Sequence, residues 1–182
     1  MFKKILMLVF VLCLMLGGVV NAEMQQKPAA FIVQDYSGQM EGKDYKDWKT
    51  VTRWAYRFPY YKLMEGKDVA GLRQDLDVQI IDRAKLLDAA TKANVNVIVL
   101  VRVYDLTEYM ETARGSMENG PFVKVEAEAD LICYRRDNGK LLIDKVCERE
   151  WKELGTQTPP GEIIKWRLCD LVNTMEGREL IR

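Results

Sequence analysis

The chain has 182 residues, 27 Lys and Arg against 27 Asp and Glu, and no histidine. The even charge balance argues against a nucleic-acid binder, which needs a basic face to neutralise phosphates. The missing histidine excludes Ser-His-Asp and Cys-His catalysis, HExxH zinc chemistry and a histidine pH switch, and a composition 48% hydrophobic and 30% charged is that of a globular chain.

The amino terminus predicts an export signal. Phe2-Lys3-Lys4 is a short basic region, Ile5 to Leu16 an apolar run, and Val20-Asn21-Ala22 supplies small residues at the −3 and −1 positions, so cleavage is expected before Glu23. The run is shorter than the ~20 apolar residues of a membrane span. Cys13 sits inside it rather than at the cleavage point, so no lipid anchor is expected. Residues 1–22 are therefore expected to be a signal peptide, and 23–182 a single exported α/β domain, periplasmic or secreted, without a stable membrane span. Loss of Lys3 and Lys4 would leave that domain at a net charge of −2.

Ala29 to Tyr36 predicts a first strand. From Asp44 to Phe58 the residues Tyr45, Trp48, Val51, Thr52, Ala55 and Phe58 recur at three- and four-residue steps, a helix face that Pro59 terminates. Tyr60 to Met64 fits a short second strand, and Asp68 to Leu72 a helical turn. Ile80, Ala84, Leu87 and Thr91, with Ile81 beside them, predict an amphipathic helix capped by Asp77 and closed by Asn94. Val95 to Tyr104 is almost continuously apolar and β-branched, as a central strand buried on both faces should be. Leu106 to Met117 fits either an extension of that strand or a short acidic helix before Asn119-Gly120. Phe122 to Arg135 alternates, with Val123, Val125, Ala127, Ala129, Leu131 and Cys133 on one face and Lys124, Glu126, Glu128 and Asp130 on the other. Leu141 to Trp151 returns as its hairpin partner. A last helix follows Pro159-Pro160-Gly161, with Ile164, Leu168, Leu171, Val172 and Met175 facing the core. The expected fold is α/β (α+β): a single-layer mixed sheet of about five strands packed by three helices, in the order β-α-β-α-β-β-β-α.

Three cysteines follow the signal. A two-residue or bulged turn at Asp137-Asn138-Gly139 would place Cys147 opposite residue 130 or 129, too far along the hairpin from Cys133 for a disulfide. Cys169 has the reach to bridge to one of them, and three buried free thiols are the other reading.

Two constellations are candidates for function. The aromatic run Trp54 to Tyr61, with Trp48 upstream, either packs a helix end onto the sheet or grips a sugar or protein, in which case Tyr56, Arg57 and Tyr60 face outward and Trp54 joins them as a candidate binding residue. In the second, Glu126, Glu128 and Glu148 are metal candidates if the hairpin turn is bulged, whereas a two-residue turn would pair Glu128 with Arg149. No nucleotide-binding or nucleophile-elbow motif occurs, no cofactor is implied, and the chain is not expected to be an enzyme.

The stretch from Arg57 to Tyr109, including Ala93-Asn94-Val95-Asn96-Val97-Ile98-Val99-Leu100, resembles the periplasmic α/β domains of the CsgG, TolB N-terminal and LpoB group. Asn94, and Leu100 or Val101, stand where that group usually carries glycines, and its lipoprotein cysteine is missing. The resemblance implies an envelope protein that acts by assembly, with no catalytic residues to transfer. The leading expectation is therefore a non-enzymatic cell-envelope protein with a protein partner. A glycan- or peptidoglycan-binding module using Trp54, Tyr56 and Tyr60 is the alternative, and a carboxylate- or metal-dependent hydrolase ranks third.

Overall fold

The computed structural model describes residues 26–111 and 122–178. The expected signal at 1–22, Cys13 within it, and the turn at Asn119-Gly120 lie outside the described residues. The elements are β1 (Lys27–Asp35), α1 (Gly42–Ala55), β2 (Tyr61–Met64), a 3-10 turn (Gly66–Val69), α2 (Ala70–Asp75), α3 (Arg83–Lys92), β3 (Val97–Glu111), β4 (Phe122–Arg135), β5 (Lys140–Glu153) and α4 (Pro160–Met175). This is the expected α/β fold with its five-stranded mixed sheet; the short α2 makes four helices where three were expected.

The sheet order is β2-β1-β3-β4-β5. β1 pairs in parallel with both β2 and β3, and β3, β4 and β5 form an antiparallel meander. Parallel neighbours need crossovers. α1 makes the first and packs on one face; α2 and α3 make the second and pack on the other. β3 is enclosed by both layers, and Val97 to Val101 are fully buried. On one side Val99, Val101, Phe31 and Leu131 meet Trp48 of α1 and Ile164, Leu168 and Val172 of α4. On the other Ile98, Leu100 and Ile32 meet Leu72, Leu76 and Leu86. α1 and α4 are fastened where Trp48 Nε1 donates to the Gly161 carbonyl at 2.9 Å. Gly161 allows that approach, because a Cβ there would overlap the Asp44 carboxylate. That carboxylate accepts the Glu41 amide at 3.1 Å and so closes the first turn of α1.

Several expectations are corrected. α1 ends at Ala55, so Phe58 lies beyond the helical period and is 77% exposed instead of in the core. α3 begins after Asp82, whose Oδ1 accepts the Lys85 amide at 2.7 Å, so Asp77 is not its cap. The buried stripe of α3 is accordingly Leu86, Ala89 and Ala90; Ile80 precedes the helix and Leu87 is largely exposed. Two alanines bring the helix close to the sheet without a large apolar signature. Asn94 does close this region, in the left-handed conformation that asparagine tolerates. β3 runs on to Glu111, past a bulge between Val103 and Asp105. The hairpin loop has four residues, Arg136 to Gly139, so Cys147 pairs with Glu128 rather than with residue 129 or 130.

Cys133, Cys147 and Cys169 are free, but only Cys133 is buried; Cys147 is exposed and Cys169 intermediate. Burial pushes the Cys133 thiol up to about 12, against an opposing contact from the Tyr56 hydroxyl. Alkylation of the native protein, followed site by site by mass spectrometry, should modify Cys147 first, Cys169 more slowly, and Cys133 only on unfolding. Equal rates at all three would contradict this burial. In urea titrations, Trp48→Phe should lower stability by about 2–3 kcal/mol through a lost hydrogen bond and a partial cavity. Trp166→Phe, on the exposed side of α4, should change it by less than about 0.5 kcal/mol.

Candidate functional site

Beyond Ala55 the chain leaves the helix at Tyr56 (φ −114°, ψ 70°) and turns through Pro59 into β2. This turn meets the end of α4 and the start of β1 around an open cleft of about 450 Å³, lined by Lys27, Arg57, Tyr60, Tyr61, Glu176 and Arg178. The structure thus brings Arg57 and Tyr60 together. Trp54 stands just outside, 64% exposed, with the Arg57 guanidinium 5.5 Å from its ring centre. Tyr60, which lines the cleft, is 65% exposed, and Phe58, two residues before it in the chain, is 77% exposed.

Tyr56 is the exception, a correction to its expected outward position. It is 1% exposed, its hydroxyl lies 3.4 Å from Cys133 Sγ, and its ring meets Tyr61 edge-on at 5.1 Å. The first turn after a helix carries its side chains along a changed path, and here that path leads back under the sheet. Burial, with Cys133 beside it, drives the Tyr56 hydroxyl far above its ordinary pKa, so it stays neutral. Tyr56 is floor, not contact surface.

Behind the cleft, Arg135 Nη2 donates to Tyr61 Oη at 2.6 Å and to Glu176 Oε2 at 3.0 Å. Burial opposes the Arg135 charge, but Tyr61, Glu176 and Asp137 outweigh it and the pKa rises. Arg178 Nη2 donates to the Ala55 carbonyl at 3.2 Å and so satisfies the end of α1. Lys27 reaches Asp137 at 3.2 Å. Arg57, by contrast, has no ion-pair partner among the described residues. Lys27, Arg57, Arg135 and Arg178 together exceed the acids Glu176 and Asp137, so the region carries positive charge. The arrangement offers guanidinium groups and aromatic faces, the side chains that dominate binding hot spots, and no nucleophile–base pair among the described residues. Lys27, Tyr61, Arg135, Glu176 and Arg178 were not legible in the sequence as members of this site, because they converge from distant segments. One signal was present: Arg135 continues the odd-numbered, core-facing series of β4 and is the only charge in it.

The metal candidates Glu126, Glu128 and Glu148 are corrected by register. Glu126 faces Arg149 and Glu128 faces Cys147, whereas Glu148 faces Ala127 and therefore lies on the opposite side of the sheet. Arg149 approaches Glu126 at 3.5 Å and Glu128 at 3.8 Å, and Lys124 approaches Glu126 at 3.0 Å. These carboxylates are relieved by neighbouring cations, and no metal-holding group of His, Cys, Asp or Glu occurs among the described residues.

No family model matches this chain, and no curated protein does either. Among solved structures it is similar to the hypothetical protein CT253 from Chlamydia trachomatis, with TM-score 0.47 and 11% identity over 84% of this chain and 96% of that one. It is also similar to the PelC dodecamer from Paraburkholderia phytofirmans, with TM-score 0.43 and 8% identity over 84% and 90%. A third similarity is to the lipoprotein GNA1162 from Neisseria meningitidis, with TM-score 0.39 and 16% identity over 82% and 99%.

Proposed function

We propose that this chain is a non-enzymatic protein of the cell envelope that works by contact with a protein partner at the aromatic cleft. Export through the amino-terminal signal, and membership of the CsgG, TolB N-terminal and LpoB group, are parts of the same proposal. The observation that carries it is the exposure of Trp54, Phe58 and Tyr60, 64%, 77% and 65%, within one seven-residue stretch whose Arg57 and Tyr60 line a positively charged cleft. Large aromatic side chains left in water at one place are a mark of an interaction surface, and the Arg57 guanidinium over Trp54 adds a charged anchor. The partner surface that fits carries carboxylates beside an apolar residue.

The test is cross-linking of tagged protein in its native envelope at native expression, with wild type compared to Phe58→Ser/Tyr60→Ser. Both side chains are exposed, so the melting temperature should not change. A single stoichiometric partner recovered with wild type, and reduced at least about 10-fold with the variant, is the expected result. Recovery of the same partner at equal yield with the variant would exclude this surface. If no protein is recovered and soluble wall fragments instead shift the tryptophan fluorescence, the glycan-binding alternative takes its place.

A further inference from the structure

Arg102 is the one charge in the apolar run from Val95 to Val103, and it is 3% exposed. Its Nε donates to Gln34 Oε1 at 2.9 Å, and its Nη2 donates to the carbonyls of Leu76 and Val78, each at 2.6 Å. All three acceptors are neutral. Arg102 has no ion-pair partner among the described residues, although a buried guanidinium ordinarily has one. Its Nη1 has no hydrogen-bond partner within 3.5 Å among the described residues, and the guanidinium lies close enough to the Tyr104 hydroxyl to oppose the rise in its pKa. It belongs to a cleft of about 330 Å³ lined by Tyr36, Asp77, Val78, Gln79, Arg102 and Tyr104.

Asp77 lines the same cleft and also lacks an ion-pair partner among the described residues. Arg102 grips the backbone on either side of it, at residues 76 and 78, while the Asp77 carboxylate accepts the Tyr36 hydroxyl at 2.7 Å. An acid and a base therefore share one small cleft without pairing. The Tyr36 and Tyr104 rings stack beside them at 5.7 Å and 9°. Burial and a carboxylate partner for each, Asp77 and Asp130, raise both phenols above their ordinary value, so these walls stay neutral.

The topology supplies a second argument. The chain leaves β1 toward β2 on one side, while β3 on the other side leads on to β4, so the carboxyl end of β1, beside the middle of β3, lies at a switch point. Open α/β sheets bind small ligands in the crevice at such points. Tyr36 follows β1, and Arg102 and Tyr104 lie across from it on β3. The aromatic cleft is at the other end of β1, beside Lys27, so the two sites are separate.

We propose that the Tyr36–Arg102 cleft binds a small zwitterion of the α-amino-acid kind, its carboxylate on Arg102 Nη1 and its ammonium on Asp77, with its side chain against Tyr36, Tyr104 and Val78. The volume is at the small end for ligand pockets, and the wall is aromatic and aliphatic with two opposed charges. A ligand with only one of the two charges would leave the other unanswered.

NMR titration of the protein with L-alanine, L-phenylalanine, N-acetylalanine and alaninamide tests this directly. Saturable shifts at Tyr36, Val78 and Tyr104 are expected with the two free amino acids. The acetylated and amidated forms, each lacking one charge, should bind at least about 10-fold more weakly. Asp77→Asn, an exposed isosteric change, should leave the melting curve intact and erase the advantage of alanine over N-acetylalanine. Arg102→Lys should remove binding of all four, and if that variant fails to fold, Asp77→Asn still decides. The absence of saturable shifts up to about 50 mM amino acid, or equal affinity for the free, acetylated and amidated forms, would overturn the proposal.

Discussion

β3 is dry on both faces through Val97 to Val101, and the remaining architecture is a response to that requirement. A strand whose every side chain avoids water must be flanked by strands and roofed twice, which the two crossovers from β1 achieve by placing α1 on one face and α2 with α3 on the other. The antiparallel half of the sheet needs less cover. β4 buries one face under α4 and leaves Lys124, Glu126, Glu128 and Asp130 on the other, where no helix of the described residues lies over them. Burial therefore falls away from β3 toward β5, whose residues are mostly half-buried or exposed.

Local patterns with a strong period were legible in the sequence. The alternation of Phe122–Arg135 marks β4 at its true bounds, and Ile164, Leu168, Leu171, Val172 and Met175 are all buried on α4 as their spacing requires. Failure came where a small residue or a register carried the information. Ala89 and Ala90 give α3 its buried face with almost no hydrophobic contrast, while the larger Ile80 and Leu87 put the stronger apolar signal on the exposed side. The four-residue hairpin loop moves every pairing of β5 by at least one place relative to tighter turns, and such a shift changes which acids share a face.

The candidate sites were legible only in part for a related reason. Trp54, Arg57 and Tyr60 lie close together in the chain, and density alone singled them out. The groups opposite them come from β1, β4 and the end of α4, and no local pattern announces that convergence. Arg102 and Arg135 were nonetheless visible as isolated charges at positions that their strands reserve for apolar side chains. A charge that breaks a strand's own pattern carries more information about function than a cluster of charges on an exposed face, because burial demands a compensating partner.

The bulge between Val103 and Asp105 reverses the parity of β3. Before it, odd residues such as Val101 and Val103 face α1 and α4; beyond it Leu106 joins that core, and Asp105, Thr107 and Tyr109 turn to the open side. The single additional residue acts as a phase shifter for the strand. Loss of that one residue would close the bulge and leave Val103 opposite Ala129 and Asp105 opposite Glu128, with Thr107 and Tyr109 still on the open side, while loss of a second would turn Thr107 and Tyr109 inward together. Tolerance to change of length is thereby lopsided here: the strand holds one spare residue that it can surrender without altering the face its distal half presents, and no second one.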